Sequence, residues 1–217
     1  MLRLTTRSFL AAVALILAVG GLAKADFVAY STSDTPGNQN WPGNLGLNFV
    51  VNSAITVDAL GAYDSGVNSF PGAITVGLFQ VGGSSTPLAQ VTFGPGAITY
   101  PTVGNYAYQP VTPLNLTVGD TYSIVAVGYG SGTSNGNNNP PDVFSVTPYS
   151  GSLITLTQGW YDGSTSLDNS QQNLGYPPTV FAAGSISFAA VPEPAGLVAL
   201  SGIGVMGLIG LGWRRRK

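Results

Sequence analysis

The chain has no cysteine and no histidine. The missing thiols exclude a disulfide framework and a cysteine nucleophile. The missing imidazoles exclude, with them, a Cys/His zinc site and a Ser-His-Asp triad. Positive charge is nearly as scarce. The seven basic residues are Arg3, Arg7, Lys24, Arg214, Arg215, Arg216 and Lys217, all close to one end or the other. From Asp26 to Val191 there is none, while eight aspartates remain: Asp26, Asp34, Asp58, Asp64, Asp120, Asp142, Asp162 and Asp168. The formal charge of −2 for the whole chain therefore hides a central region at −8. Such a region cannot neutralise phosphates, which excludes nucleic acid as a partner, and it gains nothing from anionic lipid headgroups. Glutamate is absent before Glu193. No stretch between the two ends shows a helical period with caps.

Long apolar runs occur only at the ends. Arg3 and Arg7 precede the run Phe9 to Leu22, and Ala23-Lys24-Ala25 follows it. A basic start, an apolar middle shorter than the roughly 20 residues of a span, and small residues at Ala23 and Ala25 describe a cleaved signal peptide over residues 1–25, with Asp26 as the new N-terminus. At the other end, Val191-Pro192-Glu193-Pro194 leads into the uncharged run Ala195 to Trp213, and Arg214-Arg215-Arg216-Lys217 close the sequence. As a helix that run is about 28 Å long, close to the roughly 30 Å hydrocarbon core of a bilayer. The cations then fix the tail in the cytoplasm. The prolines deny helix to the residues before them, so an extended strip precedes the span.

This arrangement resembles the PEP-CTERM sorting signal of bacterial surface proteins: a Pro-Glu-Pro motif (Pro192, Glu193, Pro194), one transmembrane helix over 195–213 and an Arg-rich tail (Arg214, Arg215, Arg216), here occupying residues 191–217. The resemblance implies a membrane-embedded exosortase that recognises the motif and removes helix and tail. It also implies an inner-membrane intermediate, then delivery to the cell surface or to an exopolysaccharide or biofilm matrix of a Gram-negative envelope. The competing reading is a plain single-span anchored ectodomain.

Residues 26–190 are long enough for one substantial core without cross-links. Runs alternating at period two, separated by Gly, Pro, Asn and Ser, predict strands at Phe27–Tyr30, Leu47–Val51, Ile55–Tyr63, Ala73–Val81, Leu88–Phe93, Tyr106–Val111, Thr121–Gly128, Val143–Val146, Leu153–Trp160 and Val180–Phe188. The fold class is all-β: an antiparallel, jelly-roll-like sandwich flanked by the signal-peptide helix and the C-terminal transmembrane helix. Ser31–Asn44, Ser131–Asp142 and Gly163–Pro178 read as polar loops, the second as a mobile surface loop. The order of Leu45–Val51, Ile55–Gly61, Ile74–Phe79 and Leu116–Tyr122 is similar to that of exported bacterial β-sandwich domains of unknown function.

Three chemistries compete for the middle. An acid/base enzyme needs paired carboxyl groups. Asp58 and Asp64 share parity along one strand, but six residues of strand separate them by about 20 Å, so no catalytic residue is assigned and no enzyme is expected. Asp162, Ser164, Ser166 and Asp168 place oxygens at every second position, a spacing that can supply several calcium ligands. Otherwise no cofactor is expected. Trp41, Trp160 and Tyr161 lie near strand ends beside Asn, Asp and Gln side chains, as does Tyr149, and offer faces on which a sugar ring can stack. The expected role is structural or adhesive at the cell surface, with a carbohydrate-binding module as the alternative.

Overall fold

The computed structural model describes residues 26–66, 70–95, 101–130 and 132–192. The signal peptide with Ala23 and Ala25, the transmembrane run, Glu193, Pro194 and the basic tail lie outside the described residues. Among the described residues there is no helix, and so none long and apolar enough to cross a membrane.

The strands in chain order are β1 (Phe27–Val28), β2 (Tyr30–Ser31), β3 (Leu45–Val51), β4 (Ile55–Tyr63), β5 (Ile74–Gln80), β6 (Ala89–Phe93), β7 (Thr102–Val103), β8 (Tyr106–Leu116), β9 (Thr121–Val127), β10 (Gly136–Asn137), β11 (Thr147–Pro148), β12 (Ile154–Tyr161), β13 (Asn173–Tyr176), β14 (Phe181–Ala182) and β15 (Gly184–Ala190). One sheet has the order β1-β15-β4-β8-β7 and the other β13-β12-β3-β9-β5-β6; β10-β14 and β11-β2 form two small ladders. Every pairing between these strands is antiparallel. Setting aside β7 and the β12–β13 hairpin leaves two four-stranded sheets, β1-β15-β4-β8 and β3-β9-β5-β6. Between these eight strands the chain changes sheet at every step but the β5–β6 hairpin.

The alternation seen in the sequence is what the two sheets bury. Leu45, Leu47, Phe49 and Val51 of β3, Ile74, Val76 and Leu78 of β5, and Tyr122, Ile124 and Ala126 of β9 face the same core. Ile55, Val57, Leu60 and Ala62 of β4 and Ile186 and Phe188 of β15 meet them from the opposite sheet. Val57 and Leu60 have the wrong spacing for one face of a regular strand. A bulge reconciles them: Val57 pairs with Phe188 and Ala59 with Ser187, so Asp58 is the extra residue. The bulge also removes the common parity of Asp58 and Asp64 on which a shared orientation depends.

The outer face of the six-stranded sheet is covered as well. Phe79, Val125 and Trp160 form a second buried cluster with Leu167 against it. Two glycines make room for this cover. A Cβ at Gly46 would stand 1.9 Å from Trp160 Cε2, and one at Gly77 would stand 2.8 Å from Leu167 Cδ2. The 163–178 segment is therefore partly a lid on this face and partly strand β13.

Two expectations are corrected. Val143–Val146 is not a strand: Val143 is exposed, Phe144 turns inward onto Tyr63 at 5.5 Å, and pairing begins only at Thr147. Within Ser131–Asp142, residues 133–137 are packed and form no free surface loop, while 139–142 are exposed. Gln39 N donates to Asn135 O and Asn135 N to Gln39 O, Gly136 and Asn137 pair with β14, and Thr133, Asn135 and Asn137 are buried. Asparagine side chains replace ladder bonds here. Asn137 N donates to Asn38 Oδ1 at 2.7 Å, and Asn38 Nδ2 donates to Asn137 O at 2.9 Å. A polar composition is thus compatible with full burial when every amide has a partner.

Candidate functional site

The sandwich has two unlike ends. At the one where β3 finishes (Val51), tight turns join the strands: Asn52–Ala54, Thr117–Asp120 and Gly151–Leu153. Asp26 and Val191 are there too, since Phe27 pairs with Phe188 and Val191 N donates to Ala54 O. At the other end, where β3 begins (Leu45), the three long polar segments gather. Six residues of strand put these ends about 20 Å apart.

The far end carries a cleft of about 190 Å³ lined by Gln39, Trp41, Leu45, Asn137, Asn139, Tyr161, Tyr176 and Phe181. Four aromatic rings build its wall. Tyr161 is central: it meets Trp41 edge-on at 5.2 Å, Tyr176 at 5.5 Å and Phe181 at 5.9 Å, and Tyr176 meets Phe181 at 5.4 Å. Such tilted and edge-to-face pairs hold each ring in a fixed orientation. Trp41 Nε1 donates to Asp162 O at 2.9 Å, which fixes the indole plane. Asn137 Nδ2 donates to Asp142 Oδ2 at 3.0 Å, and Gln39 Oε1 accepts from Asn135 Nδ2 at 2.8 Å. The Tyr176 phenol is raised above its ordinary value, chiefly by its hydrogen bond to Tyr161. No lining residue carries a formal charge. The cleft is smaller than the roughly 300–1,000 Å³ of drug-sized pockets.

Trp41 and Tyr161 are thus brought together, and Trp160 is not. Adjacent on β12, Trp160 and Tyr161 point to opposite faces. Trp160 is fully buried under the outer cover, its Nε1 donating to Asn48 Oδ1 at 3.1 Å and Ser123 Oγ at 3.0 Å. It has no exposed face for a sugar. Tyr149 packs on Phe27 and Phe188, away from the cleft. Tyr176 and Phe181 belong to the wall, although nothing in their local sequence sets them apart; only the pairing of β13 with β12 and of β14 with β10 delivers them.

Around Asn44 the oxygen-rich segment gathers one Asp162 carboxylate oxygen and the backbone carbonyls of Ser164 and Ser166, while Asp168 is joined through its N–H. Asn44 Nδ2 donates to Asp162 Oδ1 at 3.1 Å, to Ser164 O at 3.2 Å and to Ser166 O at 2.9 Å. Ser164 N donates to Asp162 Oδ1 at 2.8 Å, Ser170 Oγ donates to Asp162 Oδ2, and Asp168 N lies 3.4 Å from Asn44 Oδ1. Burial alone would raise the Asp162 pKa. The hydrogen bonds from Ser170, Asn44 and the Ser164 backbone outweigh it and hold the carboxyl below its ordinary value. Among the described residues no three acidic, His or Cys side chains are grouped to hold a metal ion.

Residues 190–217 match the PEP-CTERM protein-sorting motif. The match spans Pro192, Glu193, Pro194 and the basic tail. The chain is an exported protein of the exosortase-sorted kind, membrane-associated before processing and then directed to the cell surface. No curated protein matches it significantly.

Proposed function

We propose that this protein is a non-enzymatic adhesive or structural component of the cell surface or extracellular matrix, built as a jelly-roll-like sandwich, which holds neutral polysaccharide in the aromatic cleft. The observation that carries this reading is the uncharged cleft walled by Trp41, Tyr161, Tyr176 and Phe181 at the end remote from Val191. Aromatic faces cover the apolar faces of a pyranose, and the amides of Gln39, Asn137 and Asn139 offer donors and acceptors for its hydroxyls. The surrounding domain has eight aspartates and no cation. A uronic-acid polymer is therefore repelled, and neutral or cationic glycans are preferred.

Tryptophan fluorescence titration of the exported domain against neutral and acidic polysaccharides tests this. Neutral glycan is expected to shift the emission of the parent protein and not that of Trp41→Ala or Tyr176→Ala. Equal titrations for the parent and both variants would remove the cleft from the account. Intact mass spectrometry of membrane and extracellular fractions addresses delivery. A mature species running from Asp26 to the Val191–Pro194 region supports a matrix role, whereas a membrane species that keeps Arg214 to Lys217 makes the protein an anchored ectodomain.

A further inference from the structure

The sorting motif is joined to the sandwich with almost no slack. Ala190, the last residue of β15, pairs with Ile55, and Val191 N donates to Ala54 O at 2.9 Å. Pro192 follows immediately, and the apolar run begins at Ala195. The four residue steps from Val191 to Ala195 reach at most about 14 Å. Until the tail is removed, Val191 and the turn it is bonded to are held within that distance of the apolar run that the sorting signal would place in the membrane.

This end is rigid. Asn52 N donates to Leu153 O at 2.9 Å, Gly119 N to Val51 O at 2.8 Å and Val51 N to Asp120 O at 3.1 Å. Asn52 Nδ2 donates to Ser152 O and to Thr155 Oγ1. Its turns present polar and small apolar groups, with Ser53 and Ala54 exposed, Val118 53% exposed and Val191 37%; the exposed Asp26 stands at the edge of this end. The nearby Asp120 carboxylate accepts from Gln80 Nε2 at 2.8 Å.

We propose that this end is a docking surface for the exosortase-type enzyme that processes the tail, so that the enzyme reads the folded base together with Pro192 and the residues after it. An extended segment is recognised along several residues, through main-chain hydrogen bonds and pockets for alternate side chains. Here the residue before Pro192 is already bonded to Ala54. The base therefore lies against any enzyme that holds the motif, unless β15 first peels away. The composition also favours a protein over lipid. Charged side chains are depleted at the centres of protein interfaces, and a surface without Lys or Arg has no pull on anionic headgroups.

The inference rests on the sorting reading, and its test separates the two. The full chain is followed by pulse-chase in membranes containing the processing enzyme, as the parent and as Val118→Glu and Ser53→Glu. Both substitutions lie in exposed turns, and the melting temperature of each released domain reports its fold. Each form is also made with a flexible Gly-Ser insert of about ten residues between Val191 and Pro192, which uncouples base from motif. At native spacing an uncompensated charge on the interface is expected to slow conversion roughly ten-fold. With the insert, parent and variants are expected to convert at one rate. Equal rates for parent and variants at native spacing would overturn the docking surface. So would equal rates accompanied by Val118-dependent retention of the released domain on phosphatidylcholine vesicles, which would assign the base to lipid. A parent chain that is never converted would overturn the sorting reading itself, and this inference with it.

Discussion

Trp160 is the residue on which sequence and structure differ most, and a double-mutant cycle with Gly46 tests the structural reading. The indole is fully buried, and the strand beneath it is glycine because a Cβ at position 46 would overlap the ring at 1.9 Å. Trp160→Ala removes a large buried ring and leaves Asn48 Oδ1 and Ser123 Oγ without their shared donor. The expected loss is about 3–5 kcal/mol. For a domain of this size that lowers the melting temperature by roughly 6–20 °C. Trp160→Phe keeps most of the ring but not the N–H, and should lose about 1–3 kcal/mol. Gly46→Ala alone is destabilising because the new methyl group meets the indole. In the Trp160→Ala background the same change meets open space and gains up to about 1 kcal/mol from replacing a strand glycine. The sign reversal is the signature, and the coupling should reach the 0.5–3 kcal/mol range of contacting pairs. Thermal melting followed by circular dichroism reads all four corners of the cycle. A Trp160→Ala protein melting within about 2 °C of the parent, or a Gly46→Ala effect identical in both backgrounds, would refute this packing. Trp41→Ala is the comparison: partly buried at the cleft, with its indole bonded to Asp162 O, it should cost less than Trp160→Ala while removing the glycan response proposed above.

Three further outcomes follow from the same geometry. The Asp162 carboxyl is held below its ordinary value of 3.8, so the unfolded chain takes up that proton first. Its stabilisation is complete above about pH 4 and fades as pH falls further; Asp162→Asn should melt lower at pH 7, by roughly 1.5–3 kcal/mol, and show a flatter acid limb. In alkali the sign is opposite. Burial pushes the Tyr63 phenol up to about 12 and raises Tyr30, Tyr106, Tyr108 and Tyr129 as well, so stability is full below about pH 10, the unfolded value, and lost above it. Tyrosinate absorbance at 295 nm should therefore rise in step with unfolding; smooth ionisation of a still-folded domain would count against the buried cluster. Finally, Asn44 already fills the oxygen cage around Asp162, so melting curves in excess calcium and in chelator should coincide, and a calcium-dependent rise would show that the amide can be displaced.

Much of the fold was legible because it depends on local alternation. Ile74 to Leu78 and Tyr122 to Ala126 declare their buried faces in the sequence, and the structure uses those faces. Three things were not legible. The bulge at Asp58 shifts parity inside an apparently continuous strand, and no local residue announces it. The burial of Asn135 and Asn137 depends on partners almost a hundred positions away, Gln39 and Asn38, so a run of Asn and Gly read alone looks like free loop. The site was half visible. Trp41 and Tyr161 stand out as aromatics beside polar groups, but the same criterion selects Trp160, and only strand direction separates the two neighbours. Tyr176, Phe181 and Asn44 enter through long-range pairing, which periodicity does not encode.

The uneven charge of the sequence connects these points. Without a single Lys, Arg or His between Asp26 and Pro192, no aspartate in the domain can be neutralised by a side-chain cation. Each one that is ordered must be stabilised by neutral donors. Asp162 is held by Asn44 and Ser170, Asp120 by Gln80, Asp142 by Asn137, and Asp34 Oδ2 by the Ser145 N–H. The abundance of Asn, Gln and Ser in the loops is thus the counterpart of the missing cations. Amide donors tie loops together as salt bridges would, but their strength does not fade with ionic strength as that of surface ion pairs does. Loop order in this domain is therefore expected to respond less to added salt than order held by surface ion pairs, which hydrogen–deuterium exchange at low and high ionic strength would read.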